Sequence, residues 1–218
     1  MRCGDGRGGL TMPLFRQYEM GGVEVSVWKI TETFEELLAL VPKECYSACL
    51  GNFTSEKRCK EWLAVRVMVA GLFGADARIV YDENGKPALV GSDVHISISH
   101  TDGYAAIACS CDEVGLDIEL SSRNVLAVAK RFMQHELLDA VSAHDANHVA
   151  LCHWCSKEAL YKITGDLGGN FKDNISVTCS AVDDSGSFPV EVVGLGCDAS
   201  FVADYVFADG LLVVLCHA

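Results

Sequence analysis

From Val94 to Glu119 the chain runs through three short alternating segments separated by turns, a pattern that folds as an antiparallel meander. In the first, Val94, Ile96 and Ile98 alternate with His95, Ser97 and Ser99, and the run ends on His100. Tyr104 to Cys111 is the second, and Asp112-Glu113 turns the chain into the third, Val114-Gly115-Leu116-Asp117-Ile118-Glu119. There Leu116, Ile118 and Leu120 share one face while Asp117 and Glu119 share the other. Two carboxylates two residues apart on a strand lie roughly 7 Å apart, so both can reach one hard cation. The plain alternative is a solvated strand face.

Around this meander the sequence predicts helices and further strands. Val23 to Ile30 reads as a strand and Thr33 to Leu40 as a short helix. Ser55 to Phe73 is expected as a long amphipathic helix capped by Ser55. That helix carries Lys57, Arg58, Lys60 and Arg66, the most basic segment of the chain. Ile79 to Tyr81 is a strand entering a turn at Asn84-Gly85, left through Lys86-Pro87. Val125 to Ala140 is predicted helical, with Arg131-Phe132-Met133 and Glu136. Asp145 to Ile163 is a second long helix, ended by Gly165, Gly168 and Gly169. Strands are expected at Ile175 to Thr178, Val190 to Val193, Ser200 to Phe207 and Leu211 to Cys216. Helices beside antiparallel strands make the fold class α+β.

Composition narrows the partners. Seventeen basic against thirty acidic residues give 17 − 30 = −13. This disfavours nonspecific binding to nucleic acid or anionic membrane, since both need a positive surface. Eleven cysteines without a secretory leader are expected as reduced thiols in a cytoplasmic protein. Cys152 and Cys155 form one CxxC with no second pair at zinc-site spacing. Residues 1–19 are expected as a disordered leader, 20–112 as an N-terminal lobe and 113–218 as a C-terminal lobe.

The second long helix carries Trp154-Cys155-Ser156-Lys157-Glu158-Ala159-Leu160-Tyr161-Lys162. At about 100° per residue Leu151, Trp154, Cys155, Ala159 and Tyr161 form an apolar face, with Glu158 and Lys162 projecting into it. Charges on such a face are costly unless an ion pair, metal or charged ligand compensates them. An internal Glu–Lys pair is the plain alternative. With Asp117 and Glu119, however, Glu158 makes a candidate three-carboxylate site for magnesium.

The pairing of Val114–Glu119 with Trp154–Ala159 resembles the signature of the 4′-phosphopantetheinyl transferases. Gly85-Lys86-Pro87 and Ser99-His100 match two further elements of that family. The resemblance implies the two-lobed fold of the long, monomeric, surfactin-type branch. There, two similar lobes related by a pseudo-twofold axis each pack a helix on a mainly antiparallel sheet, with the active site between them. It also implies the activity: transfer of the phosphopantetheine arm of coenzyme A to a serine of an apo carrier protein of fatty-acid, polyketide or nonribosomal peptide synthesis. By the same resemblance, Asp117, Glu119 and Glu158 hold Mg²⁺, or Mn²⁺ in its place. Glu158 takes the serine proton, and Lys157 or Lys162 offsets charge on the phosphates. Coenzyme A would be bound by Arg58, with Lys57 and Arg66 as rivals for its 3′-phosphate, and by Lys86, Pro87, Ser99, His100, Lys157 and Lys162. Glu136 is a secondary candidate for base or ligand. Two rival readings remain from the residues themselves. One is a catalytically silent module that binds coenzyme A or a carrier protein, and the other is a cysteine–histidine hydrolase built on Cys155 and His100.

Overall fold

A computed structural model describes residues 16–134, 145–165, 171–194 and 198–218. Its first half contains β1 (Arg16–Met20), β2 (Val23–Lys29), α1 (Phe34–Ala39), α2 (Glu44–Asn52) and α3 (Glu56–Phe73). These are followed by β3 (Ile79–Tyr81), β4 (Pro87–Leu89), β5 (His95–Thr101) and β6 (Tyr104–Ser110). The second half contains β7 (Val114–Leu120), a 3-10 helix (Leu126–Arg131), α4 (Ala146–Thr164) and a single turn α5 (Phe171–Asn174). Strands β8 (Ile175–Val177), β9 (Ser185–Val192), β10 (Ala199–Ala208) and β11 (Leu211–His217) complete it. All strand pairs are antiparallel. The fold is α+β.

Two sheets result, in the orders β1-β2-β6-β5-β4-β3 and β7-β11-β10-β9-β8. The orders conceal a repeat. In each lobe a strand leads into a long helix, then a four-stranded meander whose last strand returns beside the first. The sets are β2, α3, β3 to β6 and β7, α4, β8 to β11, with β1 added on the free edge of β2. The residue identities of the two halves show no such repeat.

Each sheet is covered on both faces. Leu63 and Met68 of α3 bury against Trp28, Ile96 and Ile107, while Leu151 and Leu160 of α4 bury against Val190 and Val214. A third core lies where the sheets face one another, with Val25, Val27, Ala106 and Ala108 against Leu116, Ile118, Val213 and Leu215. Strand alternation therefore sends Leu116 and Ile118 to the other sheet and turns Gly115, Asp117 and Glu119 toward α4. The carboxylate face of β7 is covered, and Asp117 is only 8% exposed.

Several elements differ from expectation for tertiary reasons. Residues 16–19, placed in a leader by the sequence, form most of β1 and pair with β2. Helix α2 was not anticipated. The helix expected over Val125 to Ala140 is a 3-10 helix ending at Arg131. Phe132 leaves helical geometry and packs edge-on to Trp154 at 5.3 Å; residues 135–144, with Glu136, lie outside the described residues. Strand β9 begins at Ser185, well before the apolar run at Val190, because the Tyr205 ring of β10 covers Gly186. A Cβ there would sit 2.9 Å from the Tyr205 hydroxyl. Helix α1 follows its local signal: Thr33 caps Glu36 N–H and the Glu36 carboxylate accepts from Thr33 N–H.

Candidate functional site

The site starts from a glycine. A Cβ on Gly115 would lie 1.8 Å from the carbonyl oxygen of Ala159, so only glycine lets α4 lie directly on β7. At that spacing Lys162 reaches the strand, donating to the Leu116 carbonyl and, at 3.0 Å, to Asp117 Oδ1. Gly115 and Ala159 are thus the contact that brings the two charged motifs together.

Strand β5 supplies the other side. It is not paired with β7 by a backbone ladder, and its alternate hydroxyls make the connection instead. Ser97 Oγ accepts from Leu116 N–H at 2.9 Å, and Ser99 Oγ accepts from Ile118 N–H at 3.1 Å. Ser99 also donates to Asp117 Oδ1 at 2.8 Å, and Thr101 donates to Glu119 Oε2 at 2.9 Å. Arg123 forms an ion pair with the other oxygen of Glu119. Asp117 and Glu119 are therefore both held by partners from either side.

Glu158 is different. It is half-buried on α4 with no hydrogen bond or ion pair among the described residues. Its carboxyl is pushed above the ordinary range by burial, then by the Asp117 charge, against the pull of Lys162 and Arg123. Oxygen donors on Asp117, Glu119 and Glu158 suit a hard divalent cation, and a cation would relieve the repulsion that Glu158 carries. Among the described residues, however, no three such side chains are gathered closely enough to form a ready metal cluster. Asp117 is neutralised by Lys162 instead. The donor set fits, with lysine in the position of counter-ion.

Above these residues a cleft of about 900 Å³ opens between the lobes. Glu158, Tyr161 and Lys162 line it from α4, and Arg58, Glu61, Trp62 and Arg66 from α3. The β3–β4 turn adds Tyr81, Lys86 and Pro87, and β5 adds His100. Asp82 Oδ1 shapes that turn by accepting from the N–H groups of Asn84 and Lys86. Lys86 Nζ then bridges to Glu113 at 2.6 Å and to the Ile163 carbonyl at 3.2 Å, tying the turn to α4. Arg66 lies 3.4 Å over the Trp62 ring and donates to Tyr81 Oη at 3.3 Å. Burial holds its guanidinium below the usual value. A second cleft of about 690 Å³ shares Arg58, Glu61 and His100 with the first and adds Lys57, Glu119 and Arg123.

Seven expected residues thus meet at one cleft: Arg58, Arg66, Lys86, Pro87, His100, Glu158 and Lys162. Lys57 faces the second cleft and is paired with Asp102 at 2.7 Å. Two others go elsewhere. Ser99 is 5% exposed in the seam beneath the cleft, where its oxygen serves Asp117 and Ile118. Lys157 is 2% exposed and absent from the cleft walls. One residue before Glu158 on a helix is a turn of about 100°, enough to send it inward. There burial lowers its ammonium to about 8, with Asp173 opposing and Lys172 reinforcing the shift. The hydrolase alternative finds no support in its thiol: Cys155 is fully buried and its ionisation is pushed well up, first by burial and then by Asp117. Sequence reading missed Glu61, Tyr81, Thr101 and Arg123. Only Glu61 left a local trace, an acidic residue three after Arg58 within an apolar stretch.

The span from Glu113 to Tyr205, which contains β7, α4 and the motifs on both, matches the model of the 4′-phosphopantetheinyl transferase superfamily over residues 113–205. A 95-residue stretch is 34% identical to the curated 4′-phosphopantetheinyl transferase ffp of Bacillus subtilis, covering 42% of each chain. The chain therefore aligns with about two fifths of that relative's length. The superfamily match takes in Gly115, Asp117, Glu119, Ala159, Glu158 and Lys162. The cationic wall supplied by α3 and the β3–β4 turn lies before it.

Proposed function

We propose that this chain transfers the phosphopantetheine arm of coenzyme A to a serine of an apo carrier protein, as a long, monomeric, two-lobed 4′-phosphopantetheinyl transferase of the holo-acyl-carrier-protein synthase type. The observation that carries the reading is the docking of α4 on β7. It sets Glu158 and Lys162, the latter anchored on Asp117, in a cleft that Arg58, Arg66, Lys86 and His100 also line. Such a cleft suits a ligand with several phosphates on one side and a reacting centre on the other.

In this reading the serine Oγ attacks the β-phosphorus of coenzyme A. The new P–O bond forms as the bond to the bridging oxygen breaks, and adenosine 3′,5′-bisphosphate leaves with that electron pair. Glu158 takes the serine proton: it lines the cleft and has no other partner among the described residues. Lys162, anchored on Asp117 and the Leu116 carbonyl, offsets charge growing on the phosphates. Arg58 from α3 and Lys86 from the β3–β4 turn bind the cofactor's anionic groups. Asp117, Glu119 and Glu158 would hold Mg²⁺, with Mn²⁺ as substitute, which when bound neutralises the pyrophosphate. We place the protein in the cytoplasm. The nine described cysteines are free thiols, and no described helix is long and apolar enough to cross a membrane.

The test is incubation of apo carrier proteins from fatty-acid, polyketide and peptide synthesis with coenzyme A and magnesium, read by intact mass. The phosphopantetheine increment on at least one carrier, lost in excess chelator, is expected. Coenzyme A binding with no increment on any carrier would favour a silent binding module.

A further inference from the structure

The wall shared by the two clefts holds a buried carboxylate that the proposed reaction does not use. Glu61 of α3 is 4% exposed. Its Oε2 accepts from Arg58 Nη1 at 3.0 Å and lies 3.6 Å from His100 Nδ1. The same Nη1 lies 3.0 Å from Nδ1 and 2.8 Å from Nε2 of His100. A nitrogen so nearly equidistant from both cannot be in line with either in-plane position, so it sits over the face of the imidazole. Arg58 therefore spends one nitrogen on both contacts. Its Nε and Nη2 have no partner among the described residues, the side chain is half-exposed, and it lines both clefts.

We propose that Glu61 is a positioning residue that anchors Arg58 through Nη1 and presents the free Nε–Nη2 edge to a phosphate group. That edge offers two parallel N–H donors, the geometry that engages two phosphate oxygens at once. A buried hydrophobic residue would serve the fold about as well as a buried charge. What only an acceptor at position 61 supplies is a fixed guanidinium on a side chain that otherwise samples many rotamers. Glu61 also cancels much of the long-range charge of Arg58, so the seat selects by geometry rather than by field. The inference rests on reading the cleft as a coenzyme A site. The shared chemistry is a phosphate group, either the 3′-phosphate or the pyrophosphate of that cofactor.

The test compares the wild type with Glu61→Leu and Glu61→Gln by calorimetric titration at one fixed salt concentration, using coenzyme A, dephospho-coenzyme A and inorganic pyrophosphate. Melting temperature is recorded alongside. Glu61→Leu is expected to melt within about 4 °C of wild type. It is expected to lose about tenfold or more in affinity for the phosphate concerned, the size of one charge-assisted contact. Glu61→Gln, which keeps an oxygen for Nη1, is expected to retain most of the affinity. Loss of pyrophosphate binding assigns the seat to the pyrophosphate. Loss confined to the preference for coenzyme A over its dephospho form assigns it to the 3′-phosphate. Wild-type affinities for all three ligands in Glu61→Leu would overturn the inference, as would equal losses in both variants or a wild type that binds none of the three. If coenzyme A binds and responds to Glu61 while no carrier gains mass, the transfer reading fails and the positioning role stands.

Discussion

Replacing Gly115 by alanine tests the contact on which the site is built. The added Cβ would start 1.8 Å from the Ala159 carbonyl oxygen, where real Cβ contacts stay above 3.0 Å. The helix and strand must therefore part by 3.0 − 1.8 = 1.2 Å or more. The obstacle is backbone on the helix side, so no side-chain rotation relieves it. Overpacking of this kind costs about 1–3 kcal/mol in stability. The larger effect falls on function. Lys162 and Asp117 are now 3.0 Å apart, and a retreat of α4 by that amount takes the pair beyond a direct hydrogen bond, with Glu158 carried along. Displacement of a catalytic group by about 1 Å costs on the order of 10²-fold in rate. We expect Gly115→Ala to remain folded, with a lowered melting temperature, and to lose about 10²-fold in the initial rate of carrier modification by intact mass. Gly51→Ala is the matched control, since a Cβ there meets nothing within 4 Å and its residue lies within α2. It should keep the wild-type rate and gain up to about 1 kcal/mol. A Gly115→Ala variant with wild-type rate and stability would refute the argument that this approach sets the geometry.

Three further outcomes follow from the charges. Lys162→Met should slow transfer by about 10²-fold. A wild-type initial rate by intact mass in that variant would remove Lys162 from the role of offsetting charge on the phosphates. Asp117→Asn should abolish transfer and cost about 3 kcal/mol in denaturant unfolding, because it leaves partly buried Lys162 without its counter-charge; a fully stable variant would show the pair to be incidental. For Lys157 the folded-state value of about 8 lies below the ordinary 10.5. Between those values the unfolded chain binds more protons than the folded one, so stability rises with pH across that window, by at most about 3 kcal/mol. The difference between wild type and Lys157→Met in urea midpoints at pH 7.5 and pH 10 should show this rise, and parallel profiles would place Lys157 in water.

The local signals were read correctly wherever one face of an element decides its form. Alternation over Val94 to Ser110 fixed the β5–β6 hairpin, and helical periodicity fixed α3 and α4 to within a residue or two. Neither fixed the third strand of the expected meander: β7 leaves β6 and pairs with β11 in the other sheet, because alternation marks a strand without naming its neighbour. The same patterns placed Asp117 and Glu119 on one strand face and Glu158 and Lys162 on one helix face. Period alone does not say what covers the second face. Asp117 read equally well as a solvated carboxylate, and only the approach of Ala159 to Gly115 turned that face into an interior. Lys157 and Glu158 are neighbours of like helical propensity, and tertiary packing sent one inward and left the other at the cleft. Ser97, Ser99 and Thr101 looked like the polar side of an ordinary strand until β7 arrived to use their hydroxyls. The paired lobes likewise exist in strand order, not in residue identity. A sequence specifies where its apolar surface lies, because that is a property of each residue and its period. Which polar groups become partners depends on how two such surfaces seat against each other, and here a single missing Cβ decides it.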